Sequence, residues 1–111
     1  MAVRGVSLSL AMRELFLVYQ EHAGRWDWSK QLREQALFDE HAQFIDGLVE
    51  DGVLVLGGPI DEKDVLLVVD ASTVEEAQAH FATDPWIENG MVTITAIRPW
   101  QIWVEGRSSP G

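Results

Sequence analysis

Residues 30–69, KQLREQALFDEHAQFIDGLVEDGVLVLGGPIDEKDVLLVV, change their hydrophobic period partway along, and that change decides the fold. Leu37, His41, Phe44 and Leu48 stand at i, i+4, i+7 and i+11, with Ile45 and Val49 widening the stripe. This is the spacing of one apolar helix face. Glu34, Asp39, Glu40, Asp46 and Glu50 take the remaining arc or its margins. Ser29 is placed to cap the first turn with its hydroxyl, and Gly52 to close the last as a residue free to turn left-handed. The spacing therefore predicts a helix over 30–51. Beyond it the helical period stops: Val53–Leu56 and Val65–Val69 are short apolar runs of β-favouring residues. Gly57-Gly58-Pro59 and the polar turn Asp61–Asp64 separate them, so strands over 53–58 and 64–70 should pair as an antiparallel hairpin.

Working outward, Leu15–Tyr19 is a continuous β-favouring run, predicting a central strand over 15–20, and His22–Trp28 reads as a loop. On the other side, Ser72 or Thr73 can cap a second helix over 73–83. Glu75 and Glu76 fall in its first turn, where the helix dipole favours anions. Asp84-Pro85 should end it, because the residue before proline is pushed out of the helical region. Trp86–Gly90 reads as a connector and Met91–Ile97 as a strand over 91–98, interrupted by Pro99 and extended by Trp100–Val104. The order is β-α-β-β-α-β, an α+β, ferredoxin-like unit with an antiparallel sheet and both helices on one face. The bare sheet face of such a unit predicts a homodimer. The expected organisation is an N-terminal extension over 1–13, one domain over 14–104 and a tail over 105–111. Residues 1–11 are expected to be dispensable for folding.

Composition narrows the function. A chain of 111 residues, 47% apolar and 23% charged, is one globular domain. The absence of cysteine excludes disulfide scaffolds, thiolate metal sites and cysteine nucleophiles. Eight basic against 18 acidic residues leave a net charge of −10, which disfavours nucleic acid and anionic membrane surfaces as partners. The stretch before Met12 is too short and too interrupted by Ser7 and Ser9 for a secretory leader. No window reaches the ~20 apolar residues of a membrane span. The expected location is the cytoplasm.

His41 is the most informative position for chemistry. It lies on an apolar stripe, so its ring should point at the sheet, where it can serve as acid or base or be an ordinary interior histidine satisfied by backbone. Asp84 can be simple turn chemistry. It sits, however, at the end of the helix packed beside the first, where a carboxylate can fix the imidazole tautomer and raise the basicity of the other nitrogen. Trp26, Trp28 and Trp86 suit the wall of a pocket for a small, partly apolar ligand, or the core. Trp100 and Trp103 read as core and dimer-interface residues. Gly57-Gly58-Pro59 lacks the Gly-Lys-Ser/Thr of a phosphate loop and points to a bulge or a close backbone approach, with Gly58 and Pro59 beside the expected substrate. His22, His41 and His80 form no spaced metal motif, and no Gly-x-Ser-x-Gly is present. No metal and no cofactor are expected.

Together these segments resemble the YCII (YciI-like) family. The likeness runs through Phe38-Asp39-Glu40-His41-Ala42-Gln43-Phe44 and from Gly52-Val53-Leu54 to Gly57-Gly58-Pro59. It continues from Ala71-Ser72-Thr73-Val74-Glu75-Glu76-Ala77 to Asp84-Pro85-Trp86, and closes at Arg98-Pro99-Trp100. The resemblance covers about residues 14–104. It implies a ferredoxin-like subunit in a dimeric α+β barrel and a histidine–aspartate active site at His41 and Asp84. Some relatives are dehydrochlorinases and others are domains of unrelated proteins. The expected function is a cofactor-free acid–base enzyme on a small organic molecule. The alternative is a non-catalytic ligand-binding or interaction protein of the same fold.

Overall fold

Alternation along the first strand sorts its side chains into two faces. In the computed structural model, which describes residues 13–106, β1 spans Arg13–His22. Phe16, Val18, Gln20 and His22 point to one side, and Leu15, Leu17 and Tyr19 to the other. β1 pairs antiparallel with β3 (Asp64–Val69) on one flank and β4 (Val92–Ile102) on the other. β2 (Leu54–Pro59) pairs with β3, giving a four-stranded antiparallel sheet of order β2-β3-β1-β4. The architecture is α+β and ferredoxin-like. All of the expected extension but Arg13 lies outside the described residues, as do positions 107–111 of the tail.

α1 (Phe38–Glu50) and α2 (Val74–Ala79) lie on the Phe16–Val18 face. There Leu48, Ala77 and Phe81 are buried with Phe16, Val18, Leu54, Leu67 and Val69 in one core. Thr73 caps α2, its hydroxyl accepting from the Glu76 amide at 3.0 Å. Gly52 closes α1 at φ +76°. The other face is largely uncovered apolar surface. Leu15, Val68 and Ile102 are buried there, while Leu56, Trp100 and Trp103 stand exposed. The two tryptophans are thus not part of the core of the chain.

Four expected boundaries move, each for a local reason. α1 begins at Phe38 rather than Lys30. The Gln35 amide pins the preceding segment by donating to the Asp27 and Lys30 carbonyls at 2.7 and 3.2 Å, and Leu37 turns left-handed at φ 63°. That segment holds only a 3-10 turn, Leu32–Glu34, and Ser29 bonds to the Asp27 carboxylate instead of capping a helix. Val49, on the turn nearest the helix end, faces solvent. The second helix stops at Ala79, and Asp84-Pro85 opens a further short one, α3 (Pro85–Glu88). Aspartate at the N-cap followed by proline at the first helical position is a start signal, not only a stop. β4 runs through Pro99, which pairs with Phe16. β4 is an edge strand, where a missing N–H is tolerated; the opposite edge, β2, likewise ends in a proline, Pro59. Finally, β1 continues to His22, which pairs with Val92 instead of belonging to the loop.

Candidate functional site

Asp84 is extended at ψ 123° because proline follows it. That conformation sends its side chain back over the start of α3. One oxygen, Oδ1, accepts from the Trp86 backbone amide at 3.0 Å and from His41 Nδ1 at 2.8 Å. The same atom therefore caps α3 and holds the imidazole of α1. Asp84 is only 1% exposed, and its second oxygen, Oδ2, is buried without a partner. A carboxylate accepts, so the nitrogen it meets carries the hydrogen, and neutral His41 keeps its free lone pair on Nε2. That is the tautomer a general base needs.

Aromatic stacking fixes the plane of the ring. The Trp86 indole lies parallel to His41, with centroids 3.8 Å apart and planes 8° from parallel. Trp86 is itself anchored by Nε1 donating to the Ala36 carbonyl at 2.7 Å, which the left-handed turn at Leu37 follows directly. Trp26 meets Trp86 edge-on at 5.0 Å, and His22 stacks on Trp26 at 3.9 Å. His22 Nδ1 lies 3.2 Å from the Glu62 carbonyl in the β2–β3 turn. Burial is the main influence on the His22 ring and lowers its pKa from the usual 6.5, against smaller opposing effects of the Glu62 carbonyl and the Asp64 charge.

These rings wall a cavity of about 410 Å³. His41, Trp86, Trp26 and His22 line one side, and Leu54, Val65 and Leu67 form an apolar floor. Gln20 borders it from β1, while Gly57, Gly58, Pro59, Asp61 and Glu62 border it from the hairpin. A side chain at Gly57 would overlap Leu67 and come within 3.2 Å of the Leu66 carbonyl. Here glycine is needed for a close approach. Asp61 is held ionised below the usual carboxylate range, chiefly by the Asp64 and Lys63 amides; its Oδ1 accepts from both. Asp27, outside the cavity, is lowered in the same way by Ser29. Among the described residues no cluster of three or more His, Asp or Glu is arranged to hold a metal ion.

Of the residues singled out from sequence, His41, Asp84, Trp26, Trp86, Gly58 and Pro59 come together here. All but the buried Asp84 line the cavity directly. Trp28 does not: it is 60% exposed and stands edge-to-face with His22, ring centroids 5.5 Å apart. His22 and Gln20 were missed as site residues. The signal was present, since a strand carried on to His22 extends the inward alternation of Phe16 and Val18 to both.

The model of the YCII-related domain matches residues 12–101. The chain belongs to the YCII-related family. Every residue of the aromatic wall, the His41–Asp84 pair and the hairpin rim lies within the YCII-related match. No curated protein and no solved structure matches the chain. Among the described residues of this YCII-related chain, no helix is long and apolar enough to cross a membrane.

Proposed function

We propose that this YCII-related protein is a cytoplasmic homodimer that catalyses proton transfer on a small organic molecule without a cofactor. The reaction is an elimination or isomerisation of the lyase, isomerase or dehydrochlorinase type. The observation that carries it is the 2.8 Å His41 Nδ1–Asp84 Oδ1 bond at the wall of an aromatic cavity. Neutral His41 takes a proton from a carbon or oxygen acid through Nε2. Asp84 orients the ring and stabilises the imidazolium that forms. Trp26 and Trp86 exclude water, which strengthens that interaction. The uncovered sheet face supports the dimer, because Leu56 and Trp100 expose apolar surface that a second copy would bury.

The alternative, a ligand-binding protein without catalysis, draws on the same bond: Asp84 also ties α1 to α3, a structural role it would keep without any reaction. Deuterium uptake from D₂O separates the two across a panel of small carbonyl and halogenated carbon acids, followed by proton NMR. The catalytic reading expects at least one compound to exchange faster with the protein. His41→Gln and Asp84→Asn should each lower that rate at least about tenfold, since general base catalysis contributes roughly 10²–10⁴. Exchange unchanged in His41→Gln, with the fold intact by circular dichroism, leaves the binding-protein reading standing.

A further inference from the structure

Gln20 sits on the helix-facing side of the central strand, with Val65 and Ile94 as its cross-strand neighbours. Neither side chain can accept a hydrogen bond. Gln20 is 5% exposed, and its Nε2 is buried with no acceptor. Buried amide donors are almost always paired, and an unpaired one costs stability. Gln20 also borders the His41 cavity. Three other donors of that cavity are already committed: His41 Nδ1 to Asp84, His22 Nδ1 to the Glu62 carbonyl and Trp86 Nε1 to the Ala36 carbonyl. The lining contains no lysine and no arginine, while Asp61 and Glu62 border the cavity. An anion entering there would lose its hydration and meet carboxylates without a countercharge.

We infer that Gln20 is a specificity-determining donor of this cavity, and that the cavity selects an uncharged molecule carrying a carbonyl-type oxygen over carboxylates and phosphates. The inference rests on the proposal that the cavity is the ligand site, and it names what that site reads. A ligand oxygen reaching Nε2 satisfies a donor that the fold leaves unpaired. An analogue of the same shape without that oxygen leaves it buried and unpaired, the asymmetry by which polar sites discriminate most sharply.

Acetophenone, α-methylstyrene and benzoate test this directly, because the first two differ only by a carbonyl oxygen in place of a methylene. Binding is followed at pH 7 by NMR titration of the Trp26 and Trp86 indole signals, in the full chain and in Gln20→Met. The methionine keeps the length and removes the donor. The ratio of acetophenone to α-methylstyrene affinity should fall at least about tenfold in Gln20→Met. α-Methylstyrene itself should bind both proteins alike. Benzoate should bind at least about tenfold more weakly than acetophenone. An unchanged ratio overturns the role of Gln20, and benzoate binding as well as acetophenone overturns the selection against anions. Indole signals that neither neutral probe moves overturn both. Should Gln20→Met fail to fold, Gln20→Leu carries the same comparison. No turnover is read, so a non-catalytic His41 leaves the outcome unaffected.

Discussion

Removing the Asp84 carboxylate measures how much of the site rests on one oxygen atom. In Asp84→Ala the α3 cap from the Trp86 amide is lost, at about 0.5–2 kcal/mol. The bond from His41 Nδ1 is lost with it, and a hydrogen bond to a charged group contributes about 1.5–3 kcal/mol. Against these, the buried and unpaired Oδ2 disappears, which returns about 1–3 kcal/mol. The midpoints leave a net destabilisation of about 1.5 kcal/mol, or a melting temperature lower by about 6 °C for a domain of this size. A double-mutant cycle with His41→Phe, which keeps a flat ring against Trp86, isolates the bond from the cap. Stabilities come from urea unfolding followed by tryptophan fluorescence, at one fixed protein concentration because assembly would otherwise shift the midpoint. The pair should be non-additive by about 1.5–3 kcal/mol. Additivity to within about 0.5 kcal/mol would show that the two residues are not bonded in solution, and the argument for an oriented base would fall with it.

Three further outcomes follow from the geometry. Gly57→Ala should cost about 1–3 kcal/mol in urea unfolding, because the new methyl drives into Leu67 in the core. Gly58→Ala, whose added carbon meets nothing within 4 Å, should stay within about 0.5 kcal/mol of wild type; equal effects would contradict the close approach. The His22 ring should titrate below 6.5 by NMR. With the folded midpoint under the unfolded one, its contribution to stability is complete above about pH 6.5 and is lost as pH falls from there towards the folded midpoint. His22→Gln should flatten that slope, and a ring titrating at or above 6.5 refutes the assignment. Leu56→Asp places a charge on a residue 62% exposed in the single chain, so the chain should fold while the proposed dimer dissociates by light scattering. A dimer that persists at micromolar concentration would place the interface elsewhere.

The sheet was legible because its strands are runs of Val, Leu and Ile bounded by Gly, Pro and Asp, and the body of α1 because His41, Phe44 and Leu48 keep a helical interval. Topology allowed His41 and Asp84 to approach, since both helices must cover one face of the sheet, and the family resemblance named the two as a pair. What escaped was set by contacts distant in sequence. Nothing in Lys30–Leu37 announces that Gln35 will spend its amide on loop carbonyls, or that Leu37 will accept a left-handed backbone to deliver Ala36 to Trp86. Asp84-Pro85 carried two meanings, and the stop concealed the start of α3. Ending the first strand at Gln20 hid His22, although two more steps of the same alternation bring it to the cavity.

Pro59 and Pro99 occupy the two outer strands of the sheet, and β2 carries an additional register shift between Leu54 and Leu56. An edge strand is otherwise a template on which a foreign chain can grow, and prolines and bulges are among the devices that interrupt such growth. This sheet leaves much apolar surface on one face while both of its rims resist extension. Crowding should therefore drive copies to stack through the face rather than to zip along an edge. If that stacking goes wrong, the product should be amorphous precipitate and not ordered fibrils that bind thioflavin.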